Sequence, residues 1–272
     1  MTRMKTLKVE LNYLLPKKIK NLVRLGRDND GGYLVCKDTL NKCKNLITLG
    51  VGDDISFERD FDRLVKPKNI HLYDYTVSYM LFFKIILKYS RRFLTFRTNF
   101  FRITDSVNNL FNFQKFIKQQ NVKLFKEKVV ATIKEKNDIN LEKIFFRLKS
   151  ENNNLLKIDI EGSEYQIIDK IVKFQSSIEM LIIEFHWINK NKSLFENSIK
   201  RLKENFAIIH IHANNYIEPK DSDYFFDVVE ISFVKKTNLV NYENDFNYQF
   251  PLENLDQECF KHHPKIEFSF SK

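Results

Sequence analysis

Residues Leu155 to Ile168 read LLKIDIEGSEYQII. An apolar, strand-like run ends in Asp159, Ile160, Glu161 and Gly162, and a helix-like pattern begins at about Glu164. A carboxylate at the mouth of a buried strand is costly to desolvate unless something binds it. The run is therefore either a helix start or a functional site. Glu161, Ser163 and Glu164 suit the positive end of a following helix, and Glu164 reads best as a capping residue. Asp159 lies inside the strand run, where a cap is poorly placed, and reads as a site residue.

Working outward, the same strand-then-helix device recurs. NLITLGVG, IHLYDY, KVVATI, EMLIIEFHWI, FAIIHIHA and FFDVVEISFV are further β-like runs, most of them followed by segments of helical length. The alternation predicts an α/β fold with a mostly parallel seven-stranded sheet. Only NNYIEPKDSDY lies between the last two runs, too little for a helical crossover, so the sheet should end in an antiparallel hairpin.

The chain has 272 residues, 43% hydrophobic and 29% charged, enough for one full core carrying an insertion. Its net charge of +10 favours anionic partners, although scattered lysines also make an ordinary solvated surface. Cys36, Cys43 and Cys259 match neither a zinc knuckle nor a disulfide framework, so reduced thiols are expected. MTRMKTLKVELNYLL carries charges within its apolar stretch and no small-residue cleavage site, unlike a signal peptide. The longest apolar run, Tyr79 to Leu87, contains Lys84 and is too short to span a bilayer. A cytoplasmic location is the expectation.

In NLITLGVGDDISFERDF a strand runs into Gly50, Val51, Gly52 and two aspartates, and a helix then begins. Paired glycines at such a turn let a ligand approach the backbone, beside the free N–H groups of a helix start. Asp74 closes the next strand about 20 positions on, placed to accept from both hydroxyls of an adenosine ribose. A third glycine is lacking, and Asp53 and Asp54 would repel a pyrophosphate; a cationic sulfonium would be welcome. Further on, LIIEFHW sets Glu184 and His186 two apart on one face of a strand. With Asp159 and Glu161 on the neighbouring strand they could share one pocket. Either His186 or a carboxylate acts there as general base, or Asp159, Glu184 and His186 hold a divalent cation such as Mg²⁺ or Mn²⁺, the less favoured reading. His210 and His212 alternate on a later strand, and His212, nearer its end, is a candidate.

RLGRDNDGGYLV signals a two-stranded flap with its turn at Asp30, Gly31 and Gly32. Between strands two and three, residues 77–120 form a basic, aromatic and helical insertion. Lys84 and Lys88 recur opposite Phe82, Phe83, Ile86 and Leu87, and Arg91, Arg92, Arg97 and Arg102 interleave with phenylalanines. It reads as a lid packed through its apolar face, or as a surface for acceptor, membrane or a second copy of the chain.

Taken as a set, RLGRDNDGGYLV, LGVGDDISFE, LLKIDIEGSEYQII, LIIEFHW, IIHIHANN and the tail QFPLENLDQECFKHHPKIEFSF resemble the FkbM group of methyltransferases dependent on S-adenosylmethionine. The resemblance covers residues 21–74 and 150–271. It implies a Rossmann-like class I methyltransferase fold: a flap at 1–40, a donor-binding domain at 41–245 holding the insertion, and a tail at 246–272 packed on the core. It implies that Gly50, Val51, Gly52, Asp54, Asp74, Tyr75 and Asp159 bind S-adenosyl-L-methionine, with Asp30 closing over it. Glu161, His212 and Tyr33 would face the acceptor, and His186, Asp159 and Glu184 would carry the chemistry. The acceptor it suggests is a small-molecule hydroxyl, of a sugar or phosphoryl group in polysaccharide biosynthesis. A nucleic-acid methyltransferase and a non-catalytic protein retaining the fold are the alternatives; no base-methylation signature supports the former.

Overall fold

Runs of leucine and β-branched residues without helical spacing build the centre of the molecule. The computed structural model describes residues 7–9, 11–149, 152–216, 226–239, 242–243, 249–260, 263 and 265–270. Leu22–Leu25 (β1) and Tyr33–Cys36 (β2) pair as the antiparallel flap. The central sheet contains Asn45–Leu49 (β3), Asn69–Tyr73 (β4), Val122–Phe125 (β5), Asn154–Ile158 (β6), Ile178–Phe185 (β7), Phe206–Ala213 (β8) and Val229–Lys235 (β9). Its order is β5-β4-β3-β6-β7-β9-β8; β9 is antiparallel to both neighbours and the other pairings are parallel. This is the Rossmann-like arrangement with a terminal hairpin that the sequence implies. The direction of winding reverses between β3 and β6, which opens a crevice beyond their carboxyl ends.

Alternation along each strand divides the core into two layers. Ile47, Leu156 and Ile183 pack with Ile144, Ile171, Phe195 and Ile199, contributed by the helices Leu141–Arg147, Ile168–Lys173 and Lys192–Leu202. Leu46, Leu155 and Ile182 pack on the opposite face with Phe57 and Phe61 of Ser56–Val65 (α1) and with Leu25, Tyr33 and Val35 of the flap. At the amino ends a row of side-chain amides joins neighbouring strands: Asn69 donates to Asn45 at 2.9 Å and Asn45 to Asn154 at 3.0 Å.

Two expectations change. The third strand of the sheet is VKLF, Val122–Phe125, and not KVVATI. Phe125 stacks on Tyr73 at 4.8 Å, whereas Lys128–Val129 pairs with Asp138–Ile139 in a separate ladder. An edge strand needs only one well-packed face, so the less β-branched run serves. The insertion forms Tyr79–Leu94 (α2) and Phe100–Ile117 (α3), capped by the side chains of Ser78 and Asn99. Phe82 packs on Phe113 with ring centroids 5.0 Å apart. Yet Phe83, Leu87, Phe93, Phe96, Phe100 and Phe101 are exposed, so the apolar face of the insertion is only partly covered by the core. The remaining labelled helices are Leu141–Arg147 (α4), Ile168–Lys173 (α5) and Lys192–Leu202 (α6).

Phe250, Phe268 and Phe270 of the tail join the core, where 268–270 pairs with both 249–250 and 7–9 in a small sheet. The three cysteines are unpaired and buried. Among the described residues no helix is long and apolar enough to cross a membrane.

A buried ion pair lies inside this framework. Lys157 of β6 is buried 3.7 Å from the equally buried Glu58 of α1, which also accepts from Thr48 at 3.0 Å. Its ammonium stands 4.9 Å from the Tyr33 ring centre and 5.7 Å from that of Phe57. Glu58→Ala leaves this ammonium unpaired and should lower unfolding free energy in urea by about 3–5 kcal/mol, with Glu58→Leu plus Lys157→Met recovering most of it. An unchanged urea midpoint in Glu58→Ala would show that the pair carries no such weight.

Candidate active site

The crevice is built around a glycine that cannot be replaced. Gly50 has φ of 80°, and a Cβ there would stand 1.6 Å from the Asp159 carbonyl oxygen. Only a bare backbone lets the ends of β3 and β6 meet so closely. The contact is fixed by Asp159 N–H donating to Leu49 O at 2.8 Å and Gly50 N–H to Tyr73 O at 2.9 Å. The next two N–H groups, of Val51 and Gly52, donate to Asp74 Oδ2 at 2.9 and 2.8 Å. Thr76 donates to Oδ1 through both its N–H and its hydroxyl at 2.7 Å. Burial opposes the Asp74 charge, but these bonds from Gly52, Thr76 and Val51 hold its carboxyl below the usual range. At Gly52 nothing lies within 4 Å of where a Cβ would be, so the turn is bare toward the crevice.

A cavity of about 290 Å³ fills the crevice. Gly50, Val51, Gly52, Asp54, Asp74, Tyr75, Asp159 and Asp30 all line it, as do Tyr33 and Glu161. The flap reaches its rim: Arg27 N–H donates to Ser56 Oγ at 2.8 Å and the Arg27 guanidinium lies 3.2 Å from Asp54.

Behind the Asp159 wall lies a buried imidazole ringed by acids. His186 Nε2 is 3.8 Å from Asp159, 3.7 Å from Glu161 and 3.8 Å from Glu184. Its Nδ1 is 3.0 Å from Glu164 Oε1, the same oxygen that accepts from Gly162 N–H at 3.0 Å. Burial works against the imidazolium, but the Glu164 hydrogen bond and the charges of Glu184 and Asp159 raise it to about 9. Glu184 accepts from Tyr33 Oη at 3.2 Å and from Asn214 at 3.1 Å. Burial and the Asp159 charge push its carboxyl up, and burial likewise holds Asp159 above the ordinary carboxylate range against the pull of Lys157 and His186. One ligand atom each from Asp159, Glu184 and His186 falls within 4.8 Å of the others, so the three could also hold a cation.

The carboxylates and His186 expected to converge do so, but in two layers. Asp159 and Glu161 line the cavity; His186 and Glu184 stand behind them and do not. His212 is not brought to this cluster: it packs with Asp256 and Cys259 of the tail. Glu164 is the residue the sequence reading undervalued. The helix α5 begins at Ile168 and Ile167, with no side-chain cap, precedes it, so Glu161, Ser163 and Glu164 do not cap it. Gly162, at φ 99°, bends the chain where a Cβ would stand 2.9 Å from Trp187, and Glu164 closes that bend onto His186. Lys157 was also missed as a cavity residue; the signal was a lone charge inside the apolar run LLKIDI.

Solved structures that resemble this fold do so distantly. The Methanococcus jannaschii fibrillarin pre-rRNA processing protein is 9% identical, with 80% of this chain and 87% of that one covered and a TM-score of 0.38. Precorrin-6y C5,15-methyltransferase from Geobacter metallireducens is 14% identical, with coverage of 73% and 86% and a TM-score of 0.36. Spermidine synthase from Thermotoga maritima is 8% identical, with coverage of 80% and 71% and a TM-score of 0.38. No curated protein matches the chain in sequence. The methyltransferase FkbM domain matches residues 27–218, which hold the glycine turn, Asp74, Asp159 and His186. The chain belongs to the FkbM-domain family and is a methyltransferase that uses S-adenosylmethionine.

Proposed function

We propose that the enzyme methylates a hydroxyl of a small acceptor, a sugar or phosphoryl group of a surface-glycan precursor, with Asp159 as the base that takes the hydroxyl proton. The observation that carries this reading is the position of Asp159: of the two carboxylates that line the cavity and lie within 4.0 Å of His186, Glu161 has 79% of its side chain exposed and Asp159 only 29%, so Asp159 is the one held inside the wall.

The donor supplies an electrophilic methyl group on a sulfonium. The cavity suits a cation, since Asp30, Asp53, Asp54, Asp74, Glu127, Asp159 and Glu161 outnumber Arg27, Lys128 and Lys157 along its lining. Gly52 leaves open backbone toward the donor, and Asp74 is the acceptor for ribose hydroxyls, which compete there with Thr76. His186, charged at neutral pH, has no lone pair to offer a proton at Nε2, so it positions and balances Asp159 while Glu164 fixes its ring. A carboxyl held above its ordinary range is a stronger base than a free one and still ionises near neutrality.

The kinetics should show two limbs. The rate rises with pH as Asp159 ionises and falls near pH 9 as the His186 imidazolium is lost. Asp159→Asn should lower kcat by about 10²–10⁴ and remove the acidic limb, with donor affinity retained. Glu164→Gln should move the alkaline limb to lower pH. An acidic limb that survives in Asp159→Asn overturns the base assignment; a rate that depends on added Mg²⁺ or Mn²⁺ would instead give Asp159, Glu184 and His186 to a cation.

For the donor, Asp74→Ala should weaken binding in calorimetry by about 2–4 kcal/mol, since two charge-assisted hydrogen bonds are lost. Thr76→Val should cost no more than about 1 kcal/mol, which separates ribose binding from loosening of the turn. Equal affinity in a folded Asp74→Ala variant removes Asp74 from the site.

The acceptor class is testable through the insertion, whose exposed Arg91, Arg92, Arg97 and Arg102 stand among exposed phenylalanines. Labelled donor offered to sugar nucleotides and lipid-linked precursors should label an anionic acceptor whose KM rises with salt more than the donor Kd does. Arg91→Ala with Arg97→Ala should flatten that response. Label transferred to RNA alone would replace this reading with a nucleic-acid methyltransferase.

A further inference from the structure

A second cluster lies across the sheet from the catalytic one. In the register of β7, β9 and β8, Glu184 stands opposite Glu230 and Glu230 opposite His212, so three neighbouring strands set two acids and an imidazole in one row. All three side chains are buried. Like charges directly opposite on adjacent strands are destabilising, and buried acids more so unless something compensates them. Glu184 has Tyr33, Asn214 and the nearby His186. Glu230 instead meets the buried thiol of Cys259, delivered by the tail.

We propose that His212, Glu230 and Cys259 form a structural zinc site that fastens the tail to the sheet. His212 Nε2 is 3.4 Å from Cys259 Sγ, and Cys259 Sγ is 3.5 Å from Glu230 Oε1. Ligand atoms around a tetrahedral zinc with Zn–S of about 2.3 Å and Zn–N or Zn–O of about 2.0 Å lie about 3.5 Å apart, which is the spacing seen. The three ligand atoms all fall within 4.8 Å of one another. Outside them stands the carboxylate that metal-bound imidazoles characteristically use: Asp256 Oδ1 is 3.2 Å from His212 Nδ1, while its Oδ2 meets His210 at 3.0 Å and Leu252 N–H at 2.6 Å. With Nδ1 on the Asp256 side, Nε2 is the ring nitrogen that faces the thiol. One sulfur, one nitrogen and one oxygen select zinc over magnesium or calcium, which prefer all-oxygen sets.

The test uses the full chain with Zn²⁺ or Co²⁺ alone. Apoprotein titrated with Zn²⁺ against a chromophoric chelator should bind one ion per chain, and X-ray absorption at the zinc edge should show one sulfur among nitrogen and oxygen ligands. Co²⁺ should give a thiolate charge-transfer band that Cys259→Ser loses, whereas His186→Gln, in the other cluster, keeps it. Asp256→Asn should weaken Zn²⁺ binding about 10–100-fold, which keeps the proposal testable if Cys259→Ser fails to fold. Three results overturn it: no stoichiometric zinc on folded wild type, an absorption spectrum without sulfur, or binding that survives Cys259→Ser and is lost in His186→Gln.

Discussion

A single buried ammonium makes the acidic crevice tolerable. Lys157 lies in β6 one turn of pleat before Asp159, and its charge is opposed by burial but sustained by Glu58, Asp159, Asp54 and Glu184. It also stands over the rings of Tyr33 and Phe57, and so it joins β6 to the flap and to α1. An ammonium this deep persists only with acids close by, and the acids at the strand ends persist only with a cation beneath them. The fold and the site therefore share one electrostatic requirement.

Strand order then decides which acids reach the cavity. Asp159 leaves β6 beside Gly50, at the winding reversal, and is carried to the cavity wall. Glu184, one strand further from β3, stays behind it with Tyr33 and Asn214. His186 belongs to neither layer alone: Glu164 holds Nδ1, and Nε2 faces three carboxylates. Fixing one ring nitrogen orients the other. The result is a cationic group set behind a cavity carboxylate, and with Lys157 it favours the ionised form of Asp159 against burial.

The periodicity of the apolar runs made most of the sheet legible, because strands buried on both faces such as Asn45–Leu49 and Asn154–Ile158 contain little else. It failed at the edge, where Val122–Phe125 carries Lys123 on its open side and looks weaker than KVVATI. The glycine turn closed onto Asp74 was legible because Gly50, Gly52 and Asp74 obey a local spacing. The roles within the cluster were not. Glu164 reads as a helix cap until the chain is seen to bend at Gly162, and His186 reads as a base until four surrounding carboxylates set its charge. Cys259 and His212 are joined by 47 positions of intervening chain, and no local pattern announces such a contact.

The two clusters are neighbours through Glu184 and Glu230, which face each other across β7 and β9. A divalent ion on His212, Glu230 and Cys259 would neutralise Glu230 and remove a like charge from beside Glu184. Glu184, whose carboxyl burial pushes up, would then face one like charge fewer beside His186. The tail, through Cys259, and the cavity wall, through Tyr33 and Glu184, would thus rest on the same charge balance. From Glu184 the link to the Asp159 wall runs through His186, whose Nε2 lies 3.8 Å from each of the two carboxylates.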